Sequence, residues 1–279
     1  MDIKEPLKDL RTLHKRVRDN LKPIIQIAET DPSLDKLPEL KVMLDKTLSM
    51  HLTSAEGTEL LSKLRSQVSE ILEKSGSVFG EIESKFIHSI RESGLSLKEL
   101  DNGWRIETLE IKVKKEQRRI AMLYNHVVVT DWTSITSPEE LQKVFDDSRN
   151  RVEALLLERK IRDNMFRDAF DYLAWRRERD KTANPQMVPI KEFYQECAVN
   201  RFRQSFTSKR VEEPFSMLAF LRNLDEYVKD LASIEPEQRL SFHTAAQAEQ
   251  SKGIGVTTGG LNPKSDYKTL CYVSAKRTS

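Results

Sequence analysis

Apolar side chains recur at every third or fourth position through most of the first hundred residues. Leu10, Leu13, Val17, Leu21, Ile24 and Ala28 form one stripe, the spacing of a single helix face. Pro23 lies inside it, so this helix is expected to kink there or to end and restart. Asp31-Pro32 and Leu37-Pro38 follow, each Pro suited to the first turn of a new helix. Leu40, Met43, Leu44, Leu48 and Leu52 give a second stripe. A third runs through Leu61, Leu64, Val68, Ile71, Val78, Ile82, Phe86 and Ile90. Unless Ser75-Gly76-Ser77 interrupts it, that helix extends from near Ser54 to near Ser93, about 60 Å at 1.5 Å per residue. Gly94 is placed to stop it. Such length favours a helical hairpin or coiled-coil-like packing, and the lack of a strict heptad favours an intramolecular bundle.

The period changes at Asn102-Gly103. Trp104 and Ile106 alternate with Arg105 and Glu107, and then Leu109, Ile111 and Val113 alternate with Glu110, Lys112 and Lys114. The parity shift between the two sets implies a turn or a bulge. Lys115 to Arg118 reads as a polar turn, after which Ile120, Met122 and Tyr124 resume the alternation. Asn125-His126 then turns tightly into Val127-Val128-Val129, since Asn tolerates positive φ. Residues 103–130 are therefore expected to form a small antiparallel meander with one wet face.

Ser137-Pro138-Glu139-Glu140 opens the next helix, with Ser as N-cap, Pro at the first position and acids at the positive end. Its apolar pattern continues through Leu141, Val144, Phe145, Val152, Leu155, Leu156, Ile161, Met165, Ala169 and Leu173 to Trp175. Asp146 to Asn150 is polar enough to break it. Phe166, Phe170, Tyr172 and Trp175, at helical spacing, read as core or helix–helix interface, with a docking face for a partner helix as the alternative. Two further helices are expected near Pro189–Phe206 and Pro214–Ser233, the latter buried where Phe215 to Leu221 is apolar nearly all round. From Glu235 the signal weakens. Residues 251–264 read as a flexible Gly-containing loop. Residues 269–273 read as a strand that docks on the meander or pairs with Gly255–Thr258.

Composition adds bounds. The chain has 279 residues, 38% hydrophobic and 32% charged, which is polar for a globular protein but short of a disordered composition. Lys and Arg number 46 against 44 Asp and Glu, a formal net charge of +2. No global field commits it to nucleic acid or to an anionic membrane. No apolar run approaches the length of a spanning helix, and the polar start from Met1 to Asp9 does not read as a signal peptide. Cys197 and Cys271, with no CxxC spacing, fit a reducing, cytoplasmic setting.

The sharpest chemical candidate is Asp101 with Glu110-Ile111-Lys112. Positions i and i+2 of a strand share a face, so Glu110 and Lys112 project together. With a nearby Asp they offer two carboxylates for Mg²⁺ and a Lys to position water. The pattern resembles the D…ExK signature of the PD-(D/E)xK nuclease family over about sixty residues. It departs in that Asp101 precedes the first strand, where the family places its Asp within the strand before ExK. The competing reading is the solvated face of an amphipathic strand.

Other constellations are weaker. His14, His51, His88, His126 and His243 show no HxxxH or Cys/His spacing, so no metal or His-dependent nucleophile is expected. Gly253 to Gly260 is Gly-rich but lacks the Lys-Ser/Thr ending of a P-loop. Charge, however, is uneven: residues 151–210 hold 14 basic and 9 acidic side chains, whereas residues 211–250 hold 3 and 8. Arg176, Arg177, Arg179 and Lys181 follow Trp175, and Arg201, Arg203, Lys209 and Arg210 interleave with Phe202 and Phe206. Cations beside aromatics can grip phosphates and stack on bases. The same residues also suit the negative end of a helix, with the acidic segment 211–250 next door to neutralise them within the fold.

The sequence thus predicts a mainly α chain of α+β type. A helical hairpin or bundle spans residues 1–100, a small antiparallel meander 101–135, and a second helical region packing with the first 136–234. A Gly-containing loop and strand-like tail make up 235–279. The expected role is a non-enzymatic intracellular interaction subunit without cofactor or metal, with a protein partner or self-association. Nucleic acid is the further partner this expectation allows, contacted through the basic helical stretch. The alternative is an Mg²⁺-dependent nuclease using Asp101, Glu110 and Lys112.

Overall fold

Helix α1 (Lys4–Glu29) passes through Pro23 without ending there, so of the two expected outcomes the end and restart does not occur. The lost i→i−4 hydrogen bond is set against the burial of Ile24, which follows immediately. This is seen in a computed structural model that describes residues 4–29, 33–50, 55–208, 215–244, 253–257 and 267–275. The chain divides into two units. One comprises residues 1–88, 113–119 and 134–141, and the other residues 89–112, 120–133 and 142–279.

In the first unit, α1 packs with α2 (Leu37–Ser49) and α3 (Ala55–Glu92). Ile24, Leu37, Leu40, Leu44, Leu61, Val68 and Leu72 form one core, flanked by Leu21, Ile27, Leu34, Met43, Leu48 and Leu64. Pro38 sits in the first turn of α2, where a missing N–H costs nothing. Helix α3 runs unbroken through Ser75-Gly76-Ser77 over 38 residues. Ser75 is buried there and accepts from Arg118 Nε at 2.9 Å. Gly94 takes φ +73° just past the helix end, a conformation that costs a residue without Cβ little.

The second unit holds most of a five-stranded antiparallel sheet in the order β1 (Leu97–Leu100), β2 (Gly103–Ile106), β3 (Leu109–Lys114), β4 (Arg119–Tyr124) and β5 (Val127–Ser134). The meander is therefore one strand longer than its alternation showed, because Leu97-Lys98-Glu99-Leu100 is too short and too charged to stand out. The parity shift is the turn at Glu107-Thr108, with Glu107 at φ +53°. Asn125 and His126, at φ +46° and +66°, form the tight turn expected between β4 and β5. Trp104 opposes Ile111 and Ile106 opposes Leu109. All four are buried, whereas Arg105, Glu110 and Lys112 take the other face.

Helix α4 (Pro138–Glu153) lies against β5: Thr130 and Ser148 hydroxyls are 2.8 Å apart, and Arg151 donates to the Val129 carbonyl at 3.0 Å. The break in this stretch falls after Glu153, at residues 154–158, and not at Asp146 to Asn150. Asn223 holds that break, accepting from the Leu157 N–H and donating to the Leu155 carbonyl, both at 2.9 Å.

Helices α5 (Arg159–Arg179), α6 (Ile190–Ser208) and α7 (Met217–Asp230) follow. They share an aromatic core in which Phe166 meets Phe193, Phe220 and Tyr227 at centroid distances of 5.5, 5.9 and 5.3 Å. The tail is more ordered in pattern than expected. Strand β9 (Tyr267–Ala275) pairs antiparallel with β6 (Val188–Pro189), β7 (Leu240–Thr244) and β8 (Ile254–Thr257). Gly255 opposes Thr269, so the terminal strand takes the second of its two expected partners. Residues 251–252 and 258–264 of the Gly-containing segment lie outside the described residues. The fold is mixed α+β, and among the described residues no helix is long and apolar enough to cross a membrane.

Candidate functional site

Helix α5 is built with two faces. Met165, Phe166, Ala169, Phe170, Leu173 and Ala174 are buried, the stripe that joins the aromatic core. Tyr172, Trp175, Arg176 and Arg179 stand at i, i+3, i+4 and i+7 and so share another face. Trp175 is 55% exposed and Tyr172 39%. Their ring centroids are 6.1 Å apart at 36°, and the Arg179 guanidinium lies 5.1 Å from the Trp175 centroid. Phenol, indole and guanidinium thus form a ladder along the end of the helix, held by a cation–π contact. The cations there also complement the negative helix terminus.

Carboxylates accompany most of the basic residues. Arg176 and Arg177 approach Glu192 at 3.4 and 3.7 Å, Arg179 donates to Asp180 at 3.0 Å, and Arg203 lies 3.7 Å from Glu196. The Arg176–Glu192 and Arg179–Asp180 pairs are exposed on both sides and contribute about 0–1 kcal/mol each, so a phosphate can displace the carboxylate there. Lys181 is exposed at φ +52°, just beyond α5, and Arg201 is half-buried on α6. Phe202 is 62% exposed beside it in sequence. Lys209 and Arg210 lie outside the described residues, so the structure brings together only part of the basic set.

Asp101 occupies the two-residue turn between β1 and β2. Glu110 and Lys112 share the wet face of β3, opposite Arg105 and Gly103. The Glu110 carboxylate lies 3.8 Å from His126 Nδ1. Among the described residues, no three His, Cys, Asp or Glu side chains gather closely enough to hold a metal ion. His14 and His88 are exposed, His243 shares a hydrogen with Ser274 at 2.7 Å, and His51 lies outside the described residues. Cys197 and Cys271 are both buried, and burial pushes the Cys197 thiol well up.

A second concentration of chemistry was not apparent in the sequence. On α7, Arg222, Asp225, Glu226 and Lys229 recur at i, i+3, i+4 and i+7. Arg222, 7% exposed, donates to Glu153 at 2.7 Å and to Glu226 at 2.8 Å. Burial disfavours its charge, but the two carboxylates outweigh burial and raise its pKa. Tyr124 donates to Asp225 at 3.0 Å, and Lys229 sits 3.8 Å from Asp225 and 3.2 Å from Glu226. Burial raises the Asp225 carboxyl above its usual range, against the lowering effect of Lys229 and Tyr124. Burial, reinforced by Asp225, drives the Tyr124 phenol up as well. The charged stripe on an otherwise apolar helix was the available signal. Tyr124 and Glu153, 101 and 69 residues away, carried none. No family model, curated protein or solved structure matches the chain.

Proposed function

We propose that this chain is a non-enzymatic interaction subunit that contacts single-stranded nucleic acid through the outer face of α5. The observation that carries the reading is the exposed Tyr172–Trp175–Arg179 ladder, flanked by Arg176, Arg177 and Lys181. Bases stack on aromatic and guanidinium planes while cations track the backbone, and neither demands a sequence. The carboxylates of Asp180 and Glu192 hold the arginines in place until phosphates replace them.

A protein partner or a second copy belongs to the same reading. Leu60, Ile71 and Val78 are 64%, 46% and 44% exposed on α3. Their spacings of eleven and seven residues place them on one helix face, which supports a hairpin- or bundle-like first unit that offers a long contact edge.

Filter binding of a labelled oligouridine, with the full chain at low and raised salt, tests the reading. Affinity is expected to fall steeply between about 50 and 200 mM salt as counterions are taken back up. The double variant Arg176→Ala, Arg179→Ala is expected to bind at least about tenfold more weakly. The probe is expected to stay intact in Mg²⁺. No retention at low salt overturns the reading. Mg²⁺-dependent cleavage lost in Lys112→Ala replaces it with the nuclease alternative at Asp101, Glu110 and Lys112.

A further inference from the structure

The second unit contains a cleft of about 380 Å³ lined by Leu95, Ile106, Leu109, Phe145 and Val152, with Glu107, Thr108, Arg149, Glu153 and Lys229 around them. Its volume falls within the range of small-molecule sites, and its wall is divided about equally between apolar and polar surface. Ile106, Leu109, Phe145 and Val152 are otherwise buried, so the cleft opens onto side chains of the core and is not a surface dimple. They come from β2, β3 and α4, and Leu95 from the segment before β1. The floor therefore rests on elements already fixed by pairing and packing.

The charged groups of the lining differ in how far they are already satisfied. The Glu107 carboxylate accepts from the Ser96 N–H at 2.7 Å. Glu153 is held by Arg222 at 2.7 Å. Lys229 is shared between Glu226 at 3.2 Å and Asp225 at 3.8 Å. Arg149 has no hydrogen bond or ion pair among the described residues, and it lines the same wall as Phe145 and Val152, at i−4 and i+3 on α4. Thr108 stands among the lining residues as well.

We propose that this cleft binds a small monocarboxylate with a hydrocarbon body. The planar guanidinium of Arg149 takes the carboxylate, for which its fork of donors is matched, Thr108 supplies a further donor, and the five apolar side chains take the chain. An ammonium group in the same position would meet Arg149 with like charge, and an alcohol would leave the guanidinium without a counterion. The inference is independent of the α5 ladder, which lies on other residues.

Isothermal titration of the full chain with octanoate, octanol and octylammonium tests it. Octanoate is expected to bind, with octanol at least about tenfold weaker and octylammonium weaker still, the ratio set by one charge-assisted pair. Arg149→Ala is expected to bring octanoate down to the level of octanol. Arg149 is exposed, so the variant folds, and an unchanged melting temperature without ligand verifies this. Equal binding of the three probes, unchanged octanoate affinity in Arg149→Ala, or no octanoate binding each overturns the proposal.

Discussion

Asp225 shows how one buried acid makes a fold sensitive to pH. Burial raises its pKa more than Lys229 and Tyr124 lower it, with Arg222 and Glu226 as the other charged groups of its surroundings. The folded state therefore keeps this proton to a higher pH than the unfolded chain, whose carboxyl titrates near ~3.9. Its contribution to stability is complete below that value and is lost as pH rises through the folded pKa. Asp225→Asn keeps an oxygen for Tyr124 to donate to and carries no charge. The variant is expected to gain stability on the wild type as pH rises from about 4 to about 7. Urea denaturation at both ends of this range measures it, and a constant or opposite difference contradicts the role given to burial. Trp175 poses the reverse question, a large apolar ring left in water. Arg179 and Tyr172 contact it without covering it.

At the scale of elements, Gly103 starts β2 at φ +143°, and a Cβ there would collide with the carbonyl oxygen of Ile111 on β3. Gly103→Ala must strain the backbone or separate the β2–β3 pair, with an expected loss of about 2–4 kcal/mol. Chemical denaturation checks this, and a loss below about 0.5 kcal/mol contradicts the close approach. Asn102-Gly103 was also where the sequence period changed, so the turn chemistry and the strand onset were legible together. Helices α2 and α3 were legible for a similar reason: Pro38 and Gly94 mark ends, and three- and four-residue spacing marks the buried face between. Strands β1, β6 and β7 were not: Lys98-Glu99 interrupts any alternation in β1, β6 has only two residues, and β7 lies where the pattern weakens after Glu235. The break after Glu153 was missed because Leu155 and Leu156 fit the helical stripe. The side chain of Asn223, a long-range partner, satisfies the backbone there.

At the scale of the whole molecule, the near-cancellation of charge conceals two local arrangements. The basic residues at the end of α5 stood out because they are neighbours in sequence, whereas Tyr172 and Trp175, which read as core from their helical spacing, are exposed; Phe166 and Phe170 at the same spacing are buried. The second arrangement, in which Arg222 joins Glu153 and Tyr124 joins Asp225, depends on contacts across 69 and 101 residues, which periodicity does not encode. The excess of acids in residues 211–250 hinted at it only as composition. The carboxylates beside Arg176, Arg177, Arg179 and Arg203 belong to Glu192, Asp180 and Glu196 within the basic stretch itself, not to the acidic segment 211–250 expected to neutralise them. Their modest worth at the surface leaves the ladder able to exchange them for phosphate. The central claim is that Trp175 is a stacking platform. Fluorescence titration of the wild type and Trp175→Phe with oligouridine at low salt tests it most directly, because Trp104 is buried and Trp132 half-buried. The account predicts quenching in the wild type that is mostly lost in Trp175→Phe, with binding by Trp175→Ala weakened about 5- to 100-fold. Binding without quenching, or unchanged affinity in Trp175→Ala, would contradict it.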